Sequence, residues 1–387
     1  MAITHATVKA SGERGYVSEW NADHVVTDES KPKNFTTLIV AASNSLDKTR
    51  ADYVCDGVDD EEEINAALNA LPSEGGRISL LEGTYNITDT IIVAKSNTSI
   101  EGLGHATTIQ TENNINMVYV VNLTNFTLSN LNLYANHTGG SQNCIYLSSI
   151  TYSCISNVFV GNFGNNGIYL TNCFNIRIIQ CSITDCVASA IRADSNEFLF
   201  LLENYLENNE YAIRIDSSFF IKIAHNSFLS STNTSIQITS ATYVYISNNH
   251  ISGAILGIYT DCMTIITNNT ISYSDTYAIS INGSGSIISN NFIFHSTIGF
   301  VYIAAGCSLN NISNNVLTLS SGYGVFLAAN AFRNIINNNV FQSITNDVIT
   351  ISAGCDRNIV ISNNLSNYSA GSIIDNGTNT EIAHNVV

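Results

Sequence analysis

From residue 143 to 329 the chain alternates apolar and polar positions in short runs. The runs are "NCIYLSS" (143–149), "NGIYLTN" (166–172), "SAIRADS" (189–195), "YAIRIDS" (211–217), "TSIQITS" (234–240), "LGIYTDC" (256–262), "YAISING" (277–283), "GFVYIAA" (299–305) and "YGVFLAA" (323–329). A period of two predicts a short strand with its Ile, Leu and Val side chains on one face and the intervening residues on the other. Between these runs lies a second family: "ISNNHIS" (246–252), "ITNNTIS" (266–272), "ISNNFIF" (288–294), "ISNNVLT" (312–318), "INNNVFQ" (336–342) and "ISNNLSN" (361–367). Their second asparagines, Asn249, Asn269, Asn291, Asn315, Asn339 and Asn364, stand 20 to 25 residues apart. The series extends backwards through Asn226, Asn204, Cys181, Asn157 and Asn130.

A unit this small cannot bury its own apolar face, but units stacked along an axis can. The pattern therefore predicts an all-β chain, a single parallel β-helix of about eleven or twelve coils. Composition agrees. There are 52 asparagines and two prolines, Pro32 and Pro72. Asn is depleted in strands but tolerates left-handed turns. Stacked at one turn of every coil, it can also pass amide hydrogen bonds along the axis. The 13 Asn-x-Ser/Thr sequons are near chance at this composition and carry no reading.

The entry to the repeats differs. "DDEEEINAALNALP" (59–72) places Ile64, Leu68 and Leu71 on one helical face, with acids in the first turn and Pro72 after the last. Such a helix suits a cap over the open end of a solenoid. The division expected is a leader over 1–36, the capping helix and first coils over 37–112, and the β-helix proper over 113–387.

Residues 51–104, "ADYVCDGVDDEEEINAALNALPSEGGRISLLEGTYNITDTIIVAKSNTSIEGLG", resemble the entry region of the pectate-lyase-like superfamily of right-handed β-helices, and the resemblance runs to residue 387. It implies a single-stranded right-handed parallel β-helix. It does not select an activity, because lyases, hydrolases, epimerases and non-catalytic proteins share that fold. "GYVSEWNADHVVTD" (15–28), with the only Trp of the chain, resembles a segment near the N-termini of bacteriophage and prophage tail proteins. That likeness implies a virion-attachment segment. The plain alternative is a leader whose Trp20 packs on the cap.

Charge narrows the partners. A net charge of −17 with only 14 Lys and Arg argues against nucleic acid. No apolar run is long enough to insert in a membrane, and no signal peptide opens the chain. A virion or extracellular location would then be reached by lysis or assembly into a particle. Nine cysteines without a CxxC pair, and eight histidines without HxH or HExxH spacing, indicate neither a metal site nor a disulfide framework. The cysteines are expected to be free and buried. Cys307 and Cys355 lie two rungs apart, roughly 9–10 Å, too far for a bridge.

The outward positions hold the candidate chemistry. Read down one face they are Tyr146, Tyr169, Arg192 with Asp194, Arg214 with Asp216, Gln237, Tyr259 with Asp261, Ser280, Asn282, Tyr302 and Phe326. Of the 13 acids after residue 112, seven fall within 185–216. Aromatic rows with central carboxylates suit glycans: tyrosine rings take sugar faces, and carboxylates and arginines take hydroxyls or act as acid and base. The substrate-binding candidates are Tyr146, Tyr169, Arg192, Arg214, Gln237, Tyr259 and Tyr302. The catalytic candidates are Asp194, Asp216 and Asp261. A bare ladder of surface ion pairs would show the same repeat.

Three functional classes follow. The first is a virion-associated, tailspike-like protein that binds a polysaccharide, with or without cleaving it as a glycoside hydrolase or lyase. Next comes a purely structural or adhesive β-helix. Last is a free pectate-lyase-like enzyme, the only reading that needs a cofactor, Ca2+, and one for which few basic residues are on offer. The last rung, "EIAHNVV" (381–387), has no helix after it, so its edge is expected to pair. A homo-oligomer is anticipated, and the tailspike resemblance implies a trimer.

Overall fold

The computed structural model describes residues 36–135 and 140–387, and the backbone of Thr4–His5 and His24–Val25, which pair antiparallel. Trp20 and most of the 15–28 segment lie outside the described residues. The rest is a parallel β-solenoid with three faces. Face one stacks 13 strands, from Ile91–Val93 to Ile373–Asp375, one more rung than the upper expectation. Face two runs through Phe174–Ile179, Glu197–Leu202, Phe219–Ala224, Thr242–Ser247 and Thr264–Thr267. Face three runs through Ser182–Thr184, Tyr205–Glu207, Ser227–Leu229 and His250–Ala254. No break falls at residue 112, since Thr127–Ser129 pair directly with Ser99–Glu101.

Alternation decides what is inside. On face one Ile145 and Leu147, Ile168 and Leu170, Ile191 and Ala193, Ile213 and Ile215, and Ile236 and Ile238 are all fully buried. Identical chemistry thus stacks on itself, and the core is one continuous apolar column.

The helix Glu61–Ala70 covers the first rungs, burying Ile64, Ala67 and Leu68. Its N-cap, Asp60, does not cap the helix with its side chain. Instead its carboxylate accepts from Gly57 N and Asn86 N at 2.8 and 2.7 Å, tying the loop to the first coil. At the other end Lys95 donates to the carbonyls of Asn69 and Leu71, where a cation complements the helix dipole.

The paired asparagines divide two tasks. The first of each pair, as in Asn248, Asn268, Asn290, Asn314 and Asn338, holds φ between 55° and 57° and turns the chain. The second is buried with its amide along the axis: Asn249 Nδ2 donates to Asn269 Oδ1, Asn269 to Asn291, Asn291 to Asn315, and Asn315 to Asn339, each at 3.0 Å. Two assignments from the sequence are corrected here. The row continues from Asn339 to Asn363 and then Asn385, not through Asn364, because Ile336 pairs with Val360 and so shifts the repeat by one. Going backwards, Asn157 and Asn130 occupy the left-handed turn, at φ 52° and 57°, and the inward place falls to Val158 and Leu131.

A second buried amide row, Asn310, Asn334 and Asn358, runs at the corner between faces one and two. Its sequence signal is weak, since the preceding left-handed residues are Leu309, Arg333 and Arg357.

All nine cysteines are free thiols. Three of them mark the corners of one coil. Cys173, Cys181 and Cys186 receive no side-chain amide themselves, but each donates its backbone N–H to the asparagine one rung on, Asn196, Asn204 or Asn209, at 2.9 Å.

Candidate functional site

Register places the outward residues in one row. Tyr119, Tyr146, Tyr169, Arg192, Arg214, Gln237, Tyr259, Ser280, Tyr302 and Phe326 are successive partners across face one. Every binding candidate named from the sequence is in it. Tyr119 was missed, although "VYVV" (118–121) carries the same alternation; it lacks the Gly/Asn/Ser frame of the other runs. A parallel second row contains Asp194 and Asp216 as direct partners, with Thr239 next to Asp216. Asp261 follows Thr260, the partner of Ile238, so it stands one rung past Thr239 and two past Asp216.

The row has three segments. At one end Tyr119 stacks on Tyr146, ring centres 5.2 Å apart and planes 8° apart, and Tyr146 meets Tyr169 edge-on at 5.6 Å. At the other end Tyr302 stacks on Phe326 at 6.0 Å and leans on Tyr277 at 5.1 Å. Both ends are amphipathic platforms of ring faces and hydroxyls.

The middle is charged and internally connected. Arg192 Nε lies 3.1 Å from Asp194 Oδ2, two residues further along the same strand face. Tyr169 from the rung before donates its hydroxyl to that same oxygen at 2.8 Å. The Arg192 guanidinium sits 5.6 Å from the Tyr169 ring centre. Burial, then the hydrogen bond to Asp194, push the Tyr169 hydroxyl up to about 12. Asp194 thus has one oxygen held by two donors and Oδ1 left freer, at 3.4 Å from Arg192 Nε.

Asp216 differs from its copy. Arg214 Nε is 3.7 Å away, longer than a hydrogen bond, and the Arg214 guanidinium lies 5.4 Å from the Tyr211 ring centre. Tyr211 is itself held by Asn233 Nδ2 at 2.9 Å. Arg214 Nε is buried with no hydrogen-bond partner. Burial pushes the Asp216 carboxyl above the usual aspartate value; Arg214 opposes this and Asp194 adds to it. Two aspartates that look equivalent in sequence therefore have different environments. The Asp194 carboxylate is held by donors, whereas burial raises that of Asp216.

Asp261 is tied locally, its Oδ1 accepting from Ser240 N at 2.6 Å. It joins the pair only through the field, adding slightly to the upward shift of Asp216. Among the described residues one group of possible metal ligands comes together, Cys55, Asp60 and Glu63, with ligand atoms within 4.8 Å of one another. It lies at the start of the capping helix, far along the chain from the charged row. No helix among the described residues is long and apolar enough to cross a membrane.

Fold and row together define a right-handed parallel β-helix protein with a one-residue-per-rung outer face. A family model described as a right-handed β-helix region matches residues 234–387. No curated protein sequence matches the chain. Among solved structures it is similar to the Dettilon tailspike protein, with a TM-score of 0.58 and 16% identity over 81% of this chain and 64% of that one. It is likewise similar to the ORF18 protein of Geobacillus virus E2, with a TM-score of 0.50 and 17% identity over 79% of this chain and 58% of that one. The periplasmic alginate epimerase AlgG gives a TM-score of 0.50 at 10% identity, over 77% of this chain and 78% of that one. The chain spans less than two thirds of the length of either viral protein. At these identities the likeness establishes the fold.

Proposed function

We propose that this chain is a tailspike-like, virion-associated or extracellular β-helix protein that binds a cell-surface or extracellular polysaccharide along face one and hydrolyses it between Asp194 and Asp216. One observation carries the reading: the two carboxyls are register partners on adjacent rungs, one held by two donors and the other raised by burial, between two aromatic platforms. Two of the similar folds are a tailspike and an alginate epimerase by name, which supports a polysaccharide as the class of ligand.

Adjacent rungs are roughly 4.8 Å apart, close to the ~5–5.5 Å between carboxyl groups of retaining glycosidases. Asp216, the carboxyl that burial raises, would protonate the glycosidic oxygen. Asp194 Oδ1 would attack the anomeric carbon, forming a glycosyl ester as the alcohol leaves. Water, deprotonated by Asp216, would then release the sugar and regenerate both groups. Arg192 and the Tyr169 hydroxyl both hold Asp194 Oδ2, which would fix the orientation of the carboxylate for the attack. Asp261, roughly 9–10 Å from Asp216 by rung count, would serve an inverting path instead. Tyr146, Gln237, Tyr259 and Tyr302 would contact sugars on either side.

A second reading has its own support. Each arginine faces an aspartate of its own strand, so the repeat can be a row of ion pairs on a structural or adhesive β-helix. The lyase reading, with Ca2+, ranks third because Arg192 and Arg214 already face carboxylates. The test is to screen wild type, Asp194→Asn and Asp216→Asn for binding and cleavage against host-surface and acidic polysaccharides. Cleavage should fall by at least 100-fold in both variants while binding changes little. A wild type that binds or cleaves a glycan alongside two indistinguishable variants would leave only the ion-pair reading.

A further inference from the structure

Face two carries a cleft that the proposed hydrolysis does not use. It spans three rungs, where Lys222, Tyr245 and Ile265 are register partners and Ala224, Ser247 and Thr267 form the neighbouring row. The cleft has a volume of about 260 Å³ and is lined by Phe220, Lys222, Tyr245, Ser247, Ile265 and Thr267. It exists because the second row shrinks from Leu202 to Ala224, leaving Ser247 and Thr267 low beside the taller Tyr245.

Its chemistry is specific. Phe220 and Tyr245, ring centres 5.9 Å apart, provide the aromatic side. Phe220 stands at φ 54°, at a corner held by Asn97, Asn125 and Asn175 in some coils and by the aromatics Tyr152, Phe198 and Tyr243 in others. Ser247 and Thr267 provide hydroxyls. Lys222 is the last lysine in the chain, is exposed, and forms no ion pair among the described residues. In a chain of net charge −17, an unpaired cation beside two rings and two hydroxyls is a feature that attracts an anion with both an apolar and a hydroxylated face.

We infer that this cleft binds an acidic sugar residue, its carboxylate on Lys222, its ring face on Phe220 and Tyr245, and its hydroxyls on Ser247 and Thr267. The site is separate from the Asp194–Asp216 pair and survives if that pair proves non-catalytic. It shares with the preceding reading only the assumption that the ligand is carbohydrate.

The probes are short oligosaccharides of mannuronate, guluronate and galacturonate, with neutral gluco- and galacto-oligosaccharides as controls. Binding is followed by calorimetry and by the Ile265 methyl signal in NMR, which reports on this cleft alone. At least one uronate should shift Ile265, and Lys222→Gln should weaken it by 10-fold or more without altering neutral oligosaccharides. Tyr245→Ser should weaken both classes. Asp216→Asn should leave the Ile265 response and the dissociation constant unchanged. A wild type whose Ile265 signal responds to no uronate, a Lys222→Gln variant of unchanged affinity, or loss of the response in Asp216→Asn would each overturn the assignment.

Discussion

The two halves of the solenoid solve the same corner differently. From Asn204 to Asn385 the corner between faces two and three is an unbroken amide row, buried as far as Asn363. Before it, the same corner is Leu131, Val158 and Cys181. At this corner the first half thus closes its coils with apolar contacts and the second with hydrogen bonds. The first half does have a short amide row of its own before face one, where Asn166 donates to Asn143. A buried amide is tolerable only when its neighbours satisfy it, so such a row is stable when long and costly when interrupted. The charged strands Ser189–Asp194 and Tyr211–Asp216 sit where one regime passes to the other. The regular half is also the part that the β-helix family model matches, and the charged pair lies outside that match.

The sharpest way to break this contrast is to interrupt the row. Asn315 Nδ2 donates to Asn339 Oδ1, Ile288 O and Ser313 O, while its Oδ1 accepts from Asn291 N and Nδ2. Asn315→Ala orphans several of these buried groups at once, at about 1–3 kcal/mol each. The expected loss is about 3–4 kcal/mol. The exposed neighbour Asn314, at φ 57°, serves only the turn. Asn314→Ala should cost about 1 kcal/mol, and Asn314→Gly close to nothing. Urea unfolding of the three variants measures the difference. Equal losses at 314 and 315 would show that the two asparagines do not divide the tasks.

How much of this was legible follows from the same physics. Face one could be read residue by residue because a strand's period of two is rigid and the stack repeats it with fixed register. The corners were less readable. Two adjacent asparagines carry different duties with identical letters, so the sequence could not say which one turned and which one bonded. At the last coil this moved the assignment from Asn363 to Asn364. The row of Asn310, Asn334 and Asn358 was hidden because its turn residues are Leu309, Arg333 and Arg357 rather than asparagine. The Arg-x-Asp repeat was visible, but not the difference between its copies. That difference comes from Tyr169 and Tyr211, which approach from a neighbouring rung and from the strand's own start respectively.

A smaller effect probes the two aspartates against each other. Burial raises the Asp216 carboxyl, so the folded state binds its proton more tightly than the unfolded chain does. Its ionisation therefore opposes folding, and the cost grows as pH rises through the interval between the unfolded and folded values. Asp216→Asn removes that cost. The variant should melt higher than wild type at neutral pH, and the gain should vanish below the ordinary aspartate value of about 3.9. Asp194→Asn, which weakens contacts with Tyr169 and Arg192, should melt lower at neutral pH. Melting curves between pH 3 and pH 8 decide it, and a gain for Asp194→Asn would reverse the roles given to the pair.

The smallest effect lies at the boundary itself, where Cys181 occupies the place of a row asparagine. Its Sγ points at Ile179 O at 3.5 Å and at Ile155 O at 3.7 Å. Those carbonyls correspond to the ones Asn269 Nδ2 meets in its own coil and the coil before, Thr267 O and Ile246 O. Its backbone N–H already donates to Asn204 Oδ1, as Asn249 N does to Asn269 Oδ1. The Val158 amide faces the sulfur in turn. Burial pushes the thiol up to about 12, so it stays neutral and acts as a weak donor. In Cys181→Asn the amide would meet the same two carbonyls and Asn204, and its oxygen would receive the Val158 N–H. The row would lengthen by one, with a gain of about 0.5–1 kcal/mol in unfolding free energy. Cys181→Ala, which fills the place without hydrogen bonds, should lose about 1 kcal/mol. If the asparagine variant is the less stable of the two, the corner of the first half is closed by apolar packing alone, and an amide cannot be extended into it.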